Sequence, residues 1–347
     1  MGLLGGKKVS GPVIREQTAA LHWDTADPFL FASHHFDLYP KGNELQAPPY
    51  SEVKGKTLGQ DYDKKLFGYR MYTGKVTPGF QLHSHWGYET ITIASKGYVD
   101  HFDSLGNQGR YGEGDIQWVT AGGRYHHCEM YPLVHQDRDN PQLITQIMLN
   151  LPLSEKNTEP TVRTIWREEL SVLTGEGWKA TVIAGEFSGK KGIEPPKNSW
   201  ASDPKHHVLI LCIEMKAGSS IELPPSGSVN RNIYTTDGPI TVNGVSYLKE
   251  SRLKMDPSAA VTVCMGDTDS EIWVLEGDPI NEKQVSWGPA VLGSNKEVRE
   301  ANNTIRHAEH EEWPWQYVNQ KQPLGTERFF KAADGTESRP PASGNNN

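Results

Sequence analysis

The stretch Phe80–Gly97, FQLHSHWGYETITIASKG, decides how this chain is read. Its β-branched and aromatic residues mark strands, yet His83, His85 and Glu89 stand inside it. Side chains alternate faces along a strand, so His83 and His85 point the same way, and Glu89 keeps that parity. Downstream, Tyr125–Pro132 reads YHHCEMYP. There His127 and Glu129 share one face, while His126 and Cys128 share the other. A single His-X-His pair in a β-rich chain is most often a surface or hydrogen-bonded pair. Two strands that each present two ligand-type side chains on one face can converge on one ion inside a barrel. Three imidazoles and one carboxylate suit iron, nickel, copper or zinc better than magnesium or calcium. Glu89 either joins the ligands or orients His85 from behind.

Outward from this stretch the chain keeps a strand–turn rhythm. The first block includes DPFLFASHHFDLYP, LFGYRMYTGKV from Leu66, GRYGEGDIQWVTAG and LITQIMLNLP. A second runs from about residue 179 to 287 and includes HHVLILCIEMKAG, NRNIYTTDGPITVNGVSYL and EIWVLEGDP. With 34 glycines and 23 prolines in 347 residues, short strands broken by turns are favoured over long helices. The expected fold is all-β, two antiparallel β-sandwich or jelly-roll barrels with a few short helices and a C-terminal helix. Residues 1–165 form the first domain (1–20 loosely ordered) and 166–295 the second. Residues 296–325 form the helix and an extension, and 326–347 a disordered tail. Ser294 or Asn295 caps the helix.

Composition narrows the function. A formal net charge of −8 disfavours direct binding to nucleic acid. Three cysteines without regular spacing, Cys128, Cys212 and Cys264, suit a reducing compartment rather than a disulfide framework. No apolar run reaches the roughly 18 residues of a membrane helix, and the N-terminus lacks a signal-peptide layout. The expectation is a cytoplasmic protein, or a nuclear one in a eukaryotic cell.

The run Gly79-x3-His83-x-His85-x3-Glu89-x7-Gly97, then GRYGEGDIQWVTAGGRYHHCEM, resembles the cupin metal motifs of the pirin family. DSLGNQGRYGEGDIQWVTAG and GPAVLGSNKEV are similarly pirin-like, and the resemblance spans Phe29 to Ile305. It implies a bicupin with metal only in the N-terminal barrel. The implied ligands are His83, His85, His127 and Glu129, holding one Fe(II)/Fe(III) ion per chain, with other divalent transition metals as substitutes. Glu89 then falls to the surroundings of His85. The implied activity is that of a quercetin 2,3-dioxygenase, acting on a small organic substrate and O2, with Glu129 as the catalytic proton acceptor. The alternative is a redox-sensing transcriptional co-regulator that works through a protein partner. Ser84, Trp86 and Tyr88 replace the family's usual neighbours of these ligands, and Tyr125 and His126 precede the third histidine. These five residues are expected to give a more aromatic substrate pocket. EEWPWQYV, Glu311–Val318, falls outside the family pattern.

Overall fold

The computed structural model describes residues 7–8, 11–61, 65 and 68–342. Among these, strands dominate, and Asn295–Ala308 is the one α-helix longer than four residues. Ser294 caps it by accepting from Glu297 N, which satisfies one of the free amides of the first turn. No helix among the described residues is long and apolar enough to cross a membrane.

The chain folds as two compact units. One comprises Ser33–Ile147, Leu153–Glu169 and Glu282–Asn347; the other comprises Met1–Ala32, Met148–Pro152 and Leu170–Asn281. The first is built on two antiparallel sheets. In the first sheet the order is Glu337–Ser338, Phe329–Lys331, Gln108–Gly112, Tyr98–Asp103, Tyr125–Met130, Gly79–His85. The second contains Thr161–Ile165, Asp115–Thr120, Tyr88–Lys96, Asn140–Asn150 and Phe29–Tyr39, in that order. Val99 and Tyr111 from the former pack with Ala94 and Ile144 from the latter, around Tyr72, Tyr131 and Trp166.

In the other unit an eight-stranded sheet faces a four-stranded one. Alternate residues of Leu209–Met215, namely Leu209, Leu211, Ile213 and Met215, pack with Ile221, Leu223, Val261, Val263 and Met265. Each such side chain contributes about 1.5–3 kcal/mol when fully buried. That period-two burial fixes the register, because a one-residue slip would turn the whole set to the other face.

The segment boundaries differ from those expected. Val13–Thr18 is a strand paired with Ser251–Met255, so part of the expected loose N-terminus belongs to the unit built around residues 170–281. The expected disordered tail is partly strand, since Phe329–Lys331 pairs with Gln108–Gly112. Two phenylalanines anchor it: Phe329 is buried and Phe330 packs on the Tyr72–Tyr111 cluster. Residues 343–347 lie outside the described residues. So do Leu66 and Phe67, which open the strand expected from Leu66; beyond them Tyr72 makes an isolated bridge to Gly79. His206 ends a short 3-10 turn, Pro204–His206, instead of opening the strand.

Candidate metal centre

The strands Gly79–His85 and Tyr125–Met130 run antiparallel, with His127 opposite His83 and Tyr125 opposite His85. Directly opposed residues share a face, so register gathers His83, His85, Tyr125 and His127 on one side. The register shifts between His127 and Glu129, placing Phe80 opposite Glu129. Phe80 and His83 are three positions apart, which in a regular strand would put them on opposite faces. The bulge brings them together, with ring centroids 5.9 Å apart.

The three histidines form a compact donor group, with ligand atoms all within 4.8 Å of one another. His85 Nε2 and His127 Nε2 are 2.9 Å apart. Glu129 Oε2 lies 3.9 Å from His83 Nε2 and 3.8 Å from His127 Nε2. His83 Nδ1 donates to Gln81 O at 2.8 Å, which in the neutral ring leaves Nε2 its lone pair. His85 Nδ1 is held by the Tyr88 hydroxyl. Burial, and then the neighbouring His83 imidazole, holds both His85 and His127 well below the usual histidine value. Both rings are therefore neutral near pH 7. Two Nε2 lone pairs at 2.9 Å repel unless a proton or a cation lies between them. Two ring nitrogens this close can share one cation, and the His83 Nε2 lies in the same compact group. The donor set and spacing fit a transition metal.

Glu129 is held by three donors, Thr92 Oγ1 at 3.4 Å, Tyr111 OH at 3.5 Å and Gln146 Nε2 at 3.3 Å. Access is one-sided. The His83 side chain is 30% exposed while that of His127 is fully buried.

A polar network behind His127 escaped the sequence reading. His101 lies opposite Glu129 and Asp103 opposite His127 on the neighbouring strand. His101 Nε2 and Asp103 Oδ2 are 3.1 Å apart, and the Tyr125 hydroxyl donates to Asp103 Oδ2 at 3.1 Å. Both His101 and Asp103 are completely buried. The signal was present, because YVDHFD repeats the one-residue spacing of the ligand pairs.

Of the expected surrounding residues, Tyr88 and Tyr125 face the histidines, with ring centroids 5.3 Å from His85 and 5.2 Å from His127. The other four do not. Ser84 and His126 are opposed on the outer face, where Ser84 Oγ donates to Glu309 Oε1 at 2.6 Å and accepts from His126 Nδ1 at 2.7 Å. Trp86 Nε1 donates to Asn157 Oδ1, and its ring packs with Ala290, Leu292, Val298 and Ala301. Glu89 accepts from Trp118 Nε1 at 3.0 Å and Thr120 Oγ1 at 2.7 Å. It shares a face with Trp118 and Thr120, whereas Thr92 of the same strand turns to Glu129. The cause is local: Gly87, at φ +86°, breaks the strand between His85 and Tyr88, so parity does not carry across. A Cβ at Gly87 would lie 2.1 Å from Val291 O, so glycine is required there.

The outside of this sheet is covered by the extension singled out in the sequence. Leu82 N donates to Val318 O at 2.7 Å and Trp315 Nε1 to Asp103 O at 2.8 Å. Trp313 and Trp315 pack on Phe102, Cys128 and Met130.

Two antiparallel β-sandwich units, one with convergent histidines on adjacent strands, define a bicupin with a metal-capable N-terminal half. The pirin family model matches residues 15–147 and that of the pirin C-terminal cupin domain matches residues 210–310, so this chain belongs to the pirin family. It is 30% identical over 238 residues to a Pseudomonas aeruginosa protein named "Putative quercetin 2,3-dioxygenase", covering 66% of this chain and 79% of that one. It is 28% identical to pirin of Rattus norvegicus over 249 residues, 69% of this chain and 80% of that one. In structure it is similar to a quercetin 2,3-dioxygenase from Acinetobacter baumannii, with a TM-score of 0.66 at 21% identity, over 88% of this chain and 98% of the other. At that identity the likeness speaks for the fold.

Proposed function

We propose that this chain is a mononuclear iron-dependent oxygenase acting on a small, aromatic or apolar, oxygen-bearing substrate, with quercetin-type flavonols as the first candidates. The observation that carries this reading is the convergence of His83, His85, His127 and Glu129 on one face, open on the His83 side. The names of the relatives give the reaction class its support. In this reading the four residues hold the ion. When bound, iron supplies Lewis acidity toward adjacent substrate oxygens and a redox route to O2; the redox requirement is what favours iron over zinc.

The remaining work falls to the chain. Glu129 takes the proton of the substrate hydroxyl, and Thr92, Tyr111 and Gln146 hold its carboxylate in place. Tyr88 fixes the orientation of His85 through Nδ1, as partners behind a metal-binding histidine do. Tyr125, Asp103 and His101 form a buried wall beside His127 that excludes water from that side. Phe80 and Tyr131, with ring centroids 6.1 Å apart, supply aromatic surface near His83.

The test is metal analysis with electron paramagnetic resonance of iron-reconstituted protein, together with oxygen uptake on quercetin and related flavonols. One iron per chain and turnover lost in His83→Ala are expected. Absence of a stoichiometric transition metal under reducing, iron-replete conditions would overturn the proposal. Iron bound without any turnover, alongside partner binding that follows its oxidation state, would replace the enzyme with a co-regulator.

A further inference from the structure

The second barrel contains a cavity of about 660 Å³ that neither the histidine centre nor the fold accounts for. This is the size of a small-molecule site. Its walls include Phe187, Leu209, Leu211, Leu223 and Val274, all buried and apolar. Into it project two charged residues, Arg231 and Glu276, directly opposed on the strands Asn230–Thr235 and Ser270–Gly277. Their side chains are only 2% and 8% exposed.

This pair is not closed on itself. Arg231 Nη1 donates to Pro224 O at 2.9 Å and Ala259 O at 3.1 Å. Nε lies 2.9 Å from Glu276 Oε1 but is too poorly aligned for a hydrogen bond. That leaves Nε as the buried nitrogen of the guanidinium with no hydrogen bond among the described residues, while Nη2 is not sealed from solvent. Glu276 accepts from the Ser226 hydroxyl through its other oxygen. A largely buried guanidinium whose Nε makes no hydrogen bond is costly. A ligand oxygen in the cavity would meet that demand.

We infer that this cavity binds a small, mainly apolar molecule carrying a carbonyl or carboxylate oxygen, which accepts from Arg231 while the body packs on Leu209, Leu211, Leu223 and Val274. Three carboxylates, Glu186, Glu194 and Glu276, line the site against Lys191 and Arg231. That balance favours a neutral carbonyl over a second anion. The site needs no metal, and it stands apart from the oxygenase reading.

The test is ligand-observed NMR on the full chain with 2-acetonaphthone, 2-naphthoate and naphthalene. At least one oxygenated probe should bind about tenfold or more tightly than naphthalene; a preference between ketone and carboxylate identifies the oxygen that Arg231 reads. Ser202→Trp, at an exposed lining position, should abolish binding of all three without changing thermal unfolding. The double variant Arg231→Met/Glu276→Met removes both charges together, which cores often tolerate. It should keep naphthalene binding and erase the advantage of oxygen. His83→Ala should bind the probes unchanged, which separates this cavity from the histidine centre. The inference fails if no probe binds up to its solubility limit. It also fails if binding survives Ser202→Trp, or if naphthalene binds as tightly as the oxygenated probes.

Discussion

Both units pack two antiparallel sheets face to face, six strands on six in one and eight on four in the other, and they differ sharply in the polar side chains they turn inward. In the first, opposed residues on adjacent strands are His83 with His127 and His85 with Tyr125. In the second, the inward residues of Leu209–Met215 are aliphatic or Met, and the opposed polar pair is Arg231 with Glu276. One arrangement gathers lone pairs around a point that suits a cation. The other sets a cationic donor in a cavity whose buried walls are mainly apolar. The lesson is that the sandwich supplies positions and the side chains at a handful of cross-strand sites decide the chemistry.

The largest break in that contrast should come from the ligands. His127→Ala is expected to lower metal retention by more than about 100-fold, beyond the 10–100-fold typical of losing a ligand's hydrogen-bond partner. Elemental analysis after dialysis measures it, and Arg231→Met/Glu276→Met serves as the control that should leave metal content unchanged. Next, Glu129→Gln should slow oxygen uptake by about 10²–10⁴-fold, the range for a lost general base, while the three histidines retain some metal. If uptake is unaffected, proton transfer lies elsewhere.

Tyr88→Phe should weaken metal binding by about 10–100-fold through the freed His85 ring. Glu89→Gln should leave it unchanged, because the carboxylate serves Trp118 and Thr120. A metal titration that ranks these two variants the other way would restore Glu89 to the centre. Trp315→Ala should cost about 1–2 kcal/mol in urea unfolding, for a partly buried ring on Phe102, Cys128 and Met130. The smallest effect concerns thiol chemistry. Burial pushes the Cys128 thiol far above its usual value, so native protein at pH 8 should resist alkylation at Cys128 until unfolded, as peptide mass mapping would show.

How much of this was legible in the chain depended on whether parity could be trusted. Within a strand the period is two, so His83 with His85, and His127 with Glu129, could be placed on shared faces without coordinates. Across Gly87 the period is interrupted, so parity puts Glu89 with His85 whereas the fold turns Glu89 to Trp118 and Thr120 and brings Tyr88 to His85. Ser84 and His126 had outward parity all along; treating them as pocket residues set proximity in sequence above face. His101 and Asp103 were hidden for a different reason. Their spacing matched the ligand pairs, but their relation to His127 comes from strand order, which no local pattern carries. The same holds for Val13–Thr18, whose partner strand lies more than two hundred residues away.

The short strand Phe329–Lys331 bears on how the protein behaves in concentrated solution. Without it, Gln108–Gly112 would be the outermost strand of its sheet, presenting a row of unpaired amides and carbonyls to any other copy. The sheet instead ends in Glu337–Ser338, two exposed residues that offer too little backbone to template another strand. A chain ending before Phe329 should therefore keep its histidine cluster yet self-associate, and light scattering across a concentration series would register the loss of that protective border.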